Sequence, residues 1–83
     1  MNDARRKKIA QVIQEISSIK DELEEIYDEE VEAMDRMPEN LETSHRAFEM
    51  DSIAFTIDNA VGSIENIIDD LQEIVDTKMT AFY

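Results

Sequence analysis

The chain has 83 residues, no cysteine, one glycine and one proline, and its 21 acidic and 8 basic residues give a formal net charge of −13 at pH 7. This length allows one small domain, and without cysteine neither disulfide bonds nor thiolate metal sites can stabilise it. Direct binding to nucleic acid or to an anionic membrane needs a basic surface, so we expect neither of these partners.

The expected location of the protein is the cytoplasm. No apolar run in the sequence approaches the roughly 20 residues of a transmembrane helix. The start of the chain, Met1 to Lys8, is basic, but polar residues interrupt the segment that follows, which is not typical of a signal peptide. The absence of cysteine also suits a reducing compartment.

The first predicted helix runs from about Ala4 to Arg36, with Asn2 or Asp3 as its N-cap. Its apolar residues recur every seven positions in two main rows, which predict the seam of a coiled-coil-like helix. One row contains Ile9, Ile16, Leu23, Glu30 and Met37, and the other contains Val12, Ile19, Ile26 and Ala33. A partial third row consists of Ile13, Tyr27 and Met34, with Lys20 interrupting it.

A turn is predicted at residues 37–43, because Pro38 disfavours helical backbone at Met37 and donates no backbone hydrogen bond. The second predicted helix runs from about Ser44 to Lys78, with Thr43 or Ser44 as N-cap and a short tail at 79–83. It carries three adjacent apolar rows: Met50, Ile57, Ile64, Leu71; Ile53, Ala60, Ile67, Ile74; and Ala54, Val61, Ile68, Val75.

Two helices of similar length joined by a short turn predict an all-α fold, a single antiparallel helical hairpin over residues 1–83. A two-stranded pair needs two apolar positions in seven, whereas a bundle helix shows about three. The additional rows would expose a large apolar strip on a monomer. We therefore predict a homodimeric four-helix bundle. Its predicted core and dimer residues are Ile9, Ile16, Leu23, Ile26, Ile57, Val61, Ile64, Ile68, Leu71 and Val75.

The charges of the first helix oppose the helix dipole. Arg5 to Lys8 are basic at its start, and nine acids lie between Asp21 and Asp35. An antiparallel neighbour would place the basic start beside a second group of acids and so favour ion pairs across the hairpin. That group is Asp69, Asp70, Glu73 and Asp76. The acidic half instead faces further acids, Glu49, Asp51 and Asp58, and forms an uncompensated anionic lobe.

Two interpretations of this lobe remain open. Its carboxylates could only solubilise the helix, so that the bundle itself is the function, as a structural or assembly module. Alternatively, they imitate the phosphate rows of duplex DNA and bind a basic host protein that handles nucleic acid or acts in defence, as an inhibitor would. On the second hypothesis the partner-binding residues are Asp21, Glu22, Glu25, Asp28, Glu29, Glu32 and Asp35.

Catalysis needs a nucleophile, a tuned acid–base pair or a metal in a cleft. The sequence has one histidine, no cysteine and no glycine-rich phosphate loop, so we expect no enzymatic activity and no cofactor. Glu42 and His45 are weak candidates for a metal site, since Glu-x-x-His pairs hold metal ions in some four-helix bundles. Glu42 precedes the predicted helix, which weakens the match, and we expect no metal.

The segment Met37-Pro38-Glu39-Asn40-Leu41, followed by Ser44, Arg46 and a patterned acidic helix, carries a resemblance. It resembles small acidic helical proteins of prophages and genomes of low-GC Gram-positive bacteria, in which a Met-Pro-Glu-(Asn/Ser)-Leu turn joins two helices. Phe48, Phe55 and Gly62 depart from the usual repeat. The resemblance implies a phage-related origin in a bacterial cell and no defined activity, and it favours an inhibitor of host or defence proteins.

Overall fold

The computed structural model describes residues 2–37 and 45–77. Helix α1 spans Asp3–Asp35 and helix α2 spans His45–Asp76, and the two pack side by side along their length. The predicted all-α helical hairpin is confirmed, and the described residues contain no strand. Neither helix has, within those ranges, a stretch long and apolar enough to cross a lipid bilayer.

Helix α1 begins one residue before its predicted start, with Asn2 as N-cap in extended backbone. The side-chain oxygen of Asn2 accepts a 2.9 Å hydrogen bond from the backbone N–H of Arg5. This bond satisfies one of the N–H groups that a helix leaves free in its first turn. The local sequence therefore fixes the start of α1 through a single side chain.

Helix α2 ends at Asp76, two residues before the predicted end. Thr77 closes its last turn, because its backbone N–H and its hydroxyl both donate to the carbonyl of Glu73, at 3.0 and 2.7 Å. Helix α1 ends similarly, with the N–H of Arg36 bonded to the carbonyl of Glu32 at 3.1 Å. The predicted turn beyond Met37 and the predicted N-caps Thr43 and Ser44 lie outside the described residues.

The row at the centre of the seam on α1 is neither of the two main rows predicted for it. It is the row that the sequence showed only as a partial third one, and all of its members are half-buried: Arg6, Ile13, Lys20, Tyr27 and Met34. Of the two rows predicted to form the seam, the one that contains Ile9 flanks it and is half-buried. The other row is exposed in the hairpin, so that part of the prediction is wrong: Val12, Ile19, Ile26 and Ala33. Ile26, which we expected in the core or the dimer contact, therefore lies outside the hairpin core.

On α2 the centre of the seam is the third predicted row, Ala54, Val61, Ile68 and Val75. Ala54 and Val61 are the only buried residues in the described ranges, and they are 5% and 8% exposed. Both are small, which lets α1 approach closely, and the larger Tyr27 and Met34 lie beside Ala54. Since three apolar rows adjoin on α2, residue size and tertiary packing determine which of them faces α1.

One side of the hairpin carries four apolar rows, which we call the apolar face. Its two inner rows flank the seam and are half-buried: Ile9, Ile16, Leu23, Glu30 and Met37 on α1, and Met50, Ile57, Ile64 and Leu71 on α2. Its two outer rows are exposed: Val12, Ile19, Ile26 and Ala33 on α1, and Ile53, Ala60, Ile67 and Ile74 on α2. The heptad geometry places all four on the same side, because the helices are antiparallel.

The hairpin is a thin rod with extents of 65 × 15 × 12 Å and a radius of gyration of 18.9 Å. A compact domain of 83 residues would have a radius of gyration of about 12 Å. A rod one helix thick has room for only one seam of side chains, which explains why only two residues in the described ranges are buried. The core of one hairpin is therefore small for an independently stable domain.

Candidate functional site

The apolar face has no partner within the described ranges. Six of its large aliphatic side chains are between 40% and 51% exposed: Val12, Ile19, Ile26, Ile53, Ile67 and Ile74. They continue directly from the half-buried inner rows, so the exposed area is contiguous. Contiguous exposed apolar surface is typical of an interaction site.

Glu30 is the one charged residue in the inner rows of the apolar face. It is half-buried, and within the described ranges it takes part in no ion pair and no side-chain hydrogen bond. At the other end of α1, Arg5 continues the outer row of Val12, and Lys8 lies at the edge of the same face. The apolar face therefore has an unpaired acid near one end and bases near the other.

The predicted partner-binding acids divide into two groups. Asp21, Glu25, Asp28, Glu32 and Asp35 follow one another at steps of four and three residues on the flank of α1 opposite the apolar face; we call them the acidic ridge. Glu22 and Glu29 lie instead at the edge of the apolar face. All seven are exposed. Of these carboxylates, only Glu32 has an ion pair in the described part of the chain, with Arg36 at 3.5 Å.

Two phenylalanines lie on the side of the hairpin opposite the apolar face. Phe48 is 69% exposed and Phe55 is 67% exposed, and they are one heptad apart on α2. Each borders a shallow groove between the helices, together with Met34, Asp35 and Asp51. Asp58 borders the groove at Phe55. We call Phe48, Phe55, Asp35, Asp51 and Asp58 the acidic–aromatic groove.

Sequence reasoning missed this groove. In the sequence, Phe48 and Phe55 were noted only as departures from a repeat. Two aromatic residues that are seven positions apart and outside every apolar row nevertheless indicate exposed side chains. Asp51 and Asp58 were noted as acids facing α1 but not as neighbours of the aromatics. Asp35 is the one predicted partner-binding residue that lies in the groove.

The ion pairs expected between the basic start of α1 and the end of α2 do not form, and that prediction is wrong. The acids there, Asp69, Asp70, Glu73 and Asp76, are exposed on the outer sides of α2, and none lies within 4 Å of a base in the described ranges. Arg6 pairs instead with Asp3 of its own helix at 3.4 Å.

The described residues contain no group of three or more histidine, cysteine, aspartate or glutamate side chains arranged to hold a metal ion. His45 is 89% exposed, and its Nε2 lies 3.0 Å from a carboxylate oxygen of Glu49 on the next turn. Glu42, its proposed partner in a metal site, lies outside the described residues. Within the described ranges His45 therefore belongs to a surface pair of α2.

No protein-family model matches the chain, and no curated protein or solved structure matches it either. A functional proposal therefore depends on the three surfaces described above: the apolar face, the acidic ridge and the acidic–aromatic groove.

Proposed function

We propose that the protein is a non-enzymatic, homodimeric binding module that docks on a basic protein through the acidic–aromatic groove and the adjoining acidic ridge. The observation that carries the proposal is the exposure of Phe48 and Phe55 among aspartates. Aromatic side chains that are two-thirds exposed lose contact with water only when a partner covers them, and such residues often dominate binding energies.

The surroundings of the phenylalanines select an arginine-rich partner. A guanidinium group stacks on an aromatic ring and also pairs with a carboxylate through two parallel hydrogen bonds. Asp51 lies beside both rings, so one arginine could make both contacts at the same point. Lysine would make the charge contact with less stacking.

The acidic ridge extends this surface along α1. Its carboxylates follow at steps of three and four residues, which is about 5 Å along the helix axis. A row of negative charges at that spacing is complementary to a basic groove that normally follows a phosphate backbone. This supports a partner that handles nucleic acid. An inhibitor encoded by a phage or other mobile element accords with the resemblance of the turn segment.

The test begins with capture of partners from a Gram-positive bacterial lysate, followed by purification of the protein that binds. Its affinity is then measured for wild type and for three double variants. Phe48→Ala with Phe55→Ala removes the rings, and Glu25→Lys with Asp28→Lys reverses part of the ridge. Asp69→Lys with Glu73→Lys changes the same charge at the far end and serves as the control.

We expect the phenylalanine variant to bind about 100-fold more weakly and the ridge variant about tenfold more weakly, with the control within about threefold of wild type. Unchanged helicity by circular dichroism would show that each variant still folds. Equal losses in the ridge variant and the control would mean that net charge alone drives binding. That outcome would contradict a defined site.

A structural or assembly module is the second candidate, and the apolar face favours it. In that case the bundle itself is the function, and the acids only keep it soluble. Recovery of the bait alone from the lysate, with no arginine-rich protein, would support this second candidate against the first.

A further inference from the structure

The exposed apolar face indicates that a partner covers it, and the solvent-accessible surface area of the chain indicates how large that covering partner surface is. The chain exposes 6584 Å². A compact monomer of this mass would expose about 5,100 Å². The excess is roughly 1,500 Å², which is larger than the area of about 800 Å² that a stable protein–protein interface removes from each partner. A second apolar face of the same length would therefore form a contact large enough for a stable dimer.

We propose that the cover is a second copy of the chain, stacked face to face with its loop end pointing in the opposite direction. This inference rests on the homodimer proposed above and adds its arrangement. In this opposite-end dimer α1 lies on α1 of the second copy and α2 on α2. The alternative is a same-end dimer, in which α1 lies on α2 of the second copy. Both have two-fold symmetry and antiparallel neighbours.

The three large aliphatic residues in the outer row of α1 are centred on Ile19: Val12, Ile19 and Ile26. When Ile19 meets its own counterpart in the opposite-end dimer, Val12 meets Ile26 of the second copy. The same register brings Lys8 level with Glu30 of the second copy. The unpaired, half-buried acid of the apolar face therefore receives a cation, twice in each dimer.

The outer row of α2 supports a two-fold axis at the same height along the hairpin as Ile19. Lys20 and Glu65 are in contact across the seam, 3.9 Å apart, so Ile19 lies at about the height of Ile67. A two-fold axis at that height lets Ile67 meet its own counterpart, and Ala60 then meets Ile74 of the second copy. One axis therefore aligns the outer rows of both helices.

The same-end dimer offers Glu30 no such partner. Glu30 would face α2 of the second copy, and α2 has no lysine or arginine from Ala47 to its end. Both acidic ridges would also lie at the same end of the bundle and repel each other. The opposite-end dimer separates the ridges and brings the basic start of each α1 toward the acidic half of the other.

Disulfide formation tests the arrangement directly, because the chain has no cysteine of its own. We would prepare Ile19→Cys and Ile67→Cys separately and oxidise each alone and in an equimolar mixture. We expect each variant to form a covalent dimer by itself, since each residue lies beside its counterpart at the axis. A disulfide that forms only between Ile19→Cys and Ile67→Cys would identify the same-end dimer and overturn the inference.

Charge reversal gives an independent readout. Lys8→Glu and Glu30→Lys should each raise the dimer dissociation constant about tenfold in sedimentation equilibrium, and the double variant should return it to within about threefold of wild type. Lys8 and Glu30 lie about 33 Å apart along one helix, so rescue requires contact between two copies. Absence of rescue would contradict the register.

These experiments separate failure of the arrangement from failure of the proposed function. A wild-type protein that sediments as a monomer at every concentration would overturn both the homodimer and its arrangement. The groove lies on the opposite side of the hairpin and would still be tested by the phenylalanine variant. Same-end disulfides in a stable dimer would leave the homodimer in place and overturn only the inference.

Discussion

Lys20 of α1 and Glu65 of α2 form the one ion pair that crosses the seam within the described ranges, with 3.9 Å between the ammonium nitrogen and the carboxylate oxygen. The ammonium lies equally far from Glu24 on its own helix. The side chain of Lys20 is only 24% exposed, whereas both carboxylates are about half exposed. A partly buried base in the middle of an apolar seam therefore interacts with acids that remain in water.

We expect Lys20→Leu to stabilise the hairpin by about 1 kcal/mol, because it removes the desolvation of the ammonium and leaves two carboxylates that water still solvates. Urea unfolding followed by circular dichroism would measure the change. Glu65→Gln is the control and should alter the free energy of unfolding by less than about 0.5 kcal/mol. A loss of stability in Lys20→Leu would show that the ion pair contributes more than burial does.

Gly62 lies in the middle of α2, and a Cβ atom added there would meet no atom within 4 Å. Gly62→Ala should therefore stabilise the protein by about 1 kcal/mol, since alanine restricts the unfolded chain and favours helix. The neighbouring change Ser63→Gly should lower stability by a similar amount. If Gly62→Ala were destabilising instead, a partner or a second copy would have to approach α2 at this point.

The N-cap gives a third prediction. Asn2→Ala removes the acceptor of the Arg5 backbone N–H and should cost about 1 kcal/mol, whereas Asn2→Asp keeps an acceptor, adds a favourable charge at the helix start and should cost nothing. Thermal unfolding of the two variants beside wild type would measure the difference. Equal stability of all three would mean that the first turn of α1 frays in solution.

The exposed isoleucines of the apolar face give a fourth prediction. Ile67→Lys should convert the proposed dimer into a monomer and lower the unfolding temperature, because a charge would be buried between two copies without a partner. Ser63→Lys, one helical turn away at the edge of the face, should leave the dimer intact. Sedimentation velocity would distinguish the two results. An unchanged dimer in Ile67→Lys would place the interface elsewhere.

The fold was predictable from particular residues. Pro38 separated two heptad patterns of equal length, and Asn2 marked the start of the first, so an antiparallel hairpin followed from local rules. The seam was not predictable to the same degree. Ile19 and Ile13 both lie on apolar rows, and periodicity alone does not rank adjacent rows. The small side chains of Ala54 and Val61 determine which rows face each other in the seam, because they let the two helices approach closely, and only the packed structure shows this approach.

The candidate surfaces were partly predictable for the same reason. The ridge from Asp21 to Asp35 follows directly from the helical period, since acids at steps of three and four share one side. The groove requires knowledge of which side of α2 faces α1. Once Ala54 lies in the seam, Phe55 must lie beside it at the edge rather than in the core. The wrong choice of seam therefore concealed the aromatic pair.

The length of the hairpin gives it some of the character of a polyelectrolyte. Thirteen net negative charges over 65 Å amount to about one charge per 5 Å. Duplex DNA carries one per roughly 1.7 Å and gathers a layer of condensed cations, which a basic protein releases on binding. A basic partner would likewise displace cations from the acidic ridge, and their release would drive association by entropy. The slope of the logarithm of affinity against the logarithm of salt concentration would then count the carboxylates that the partner covers.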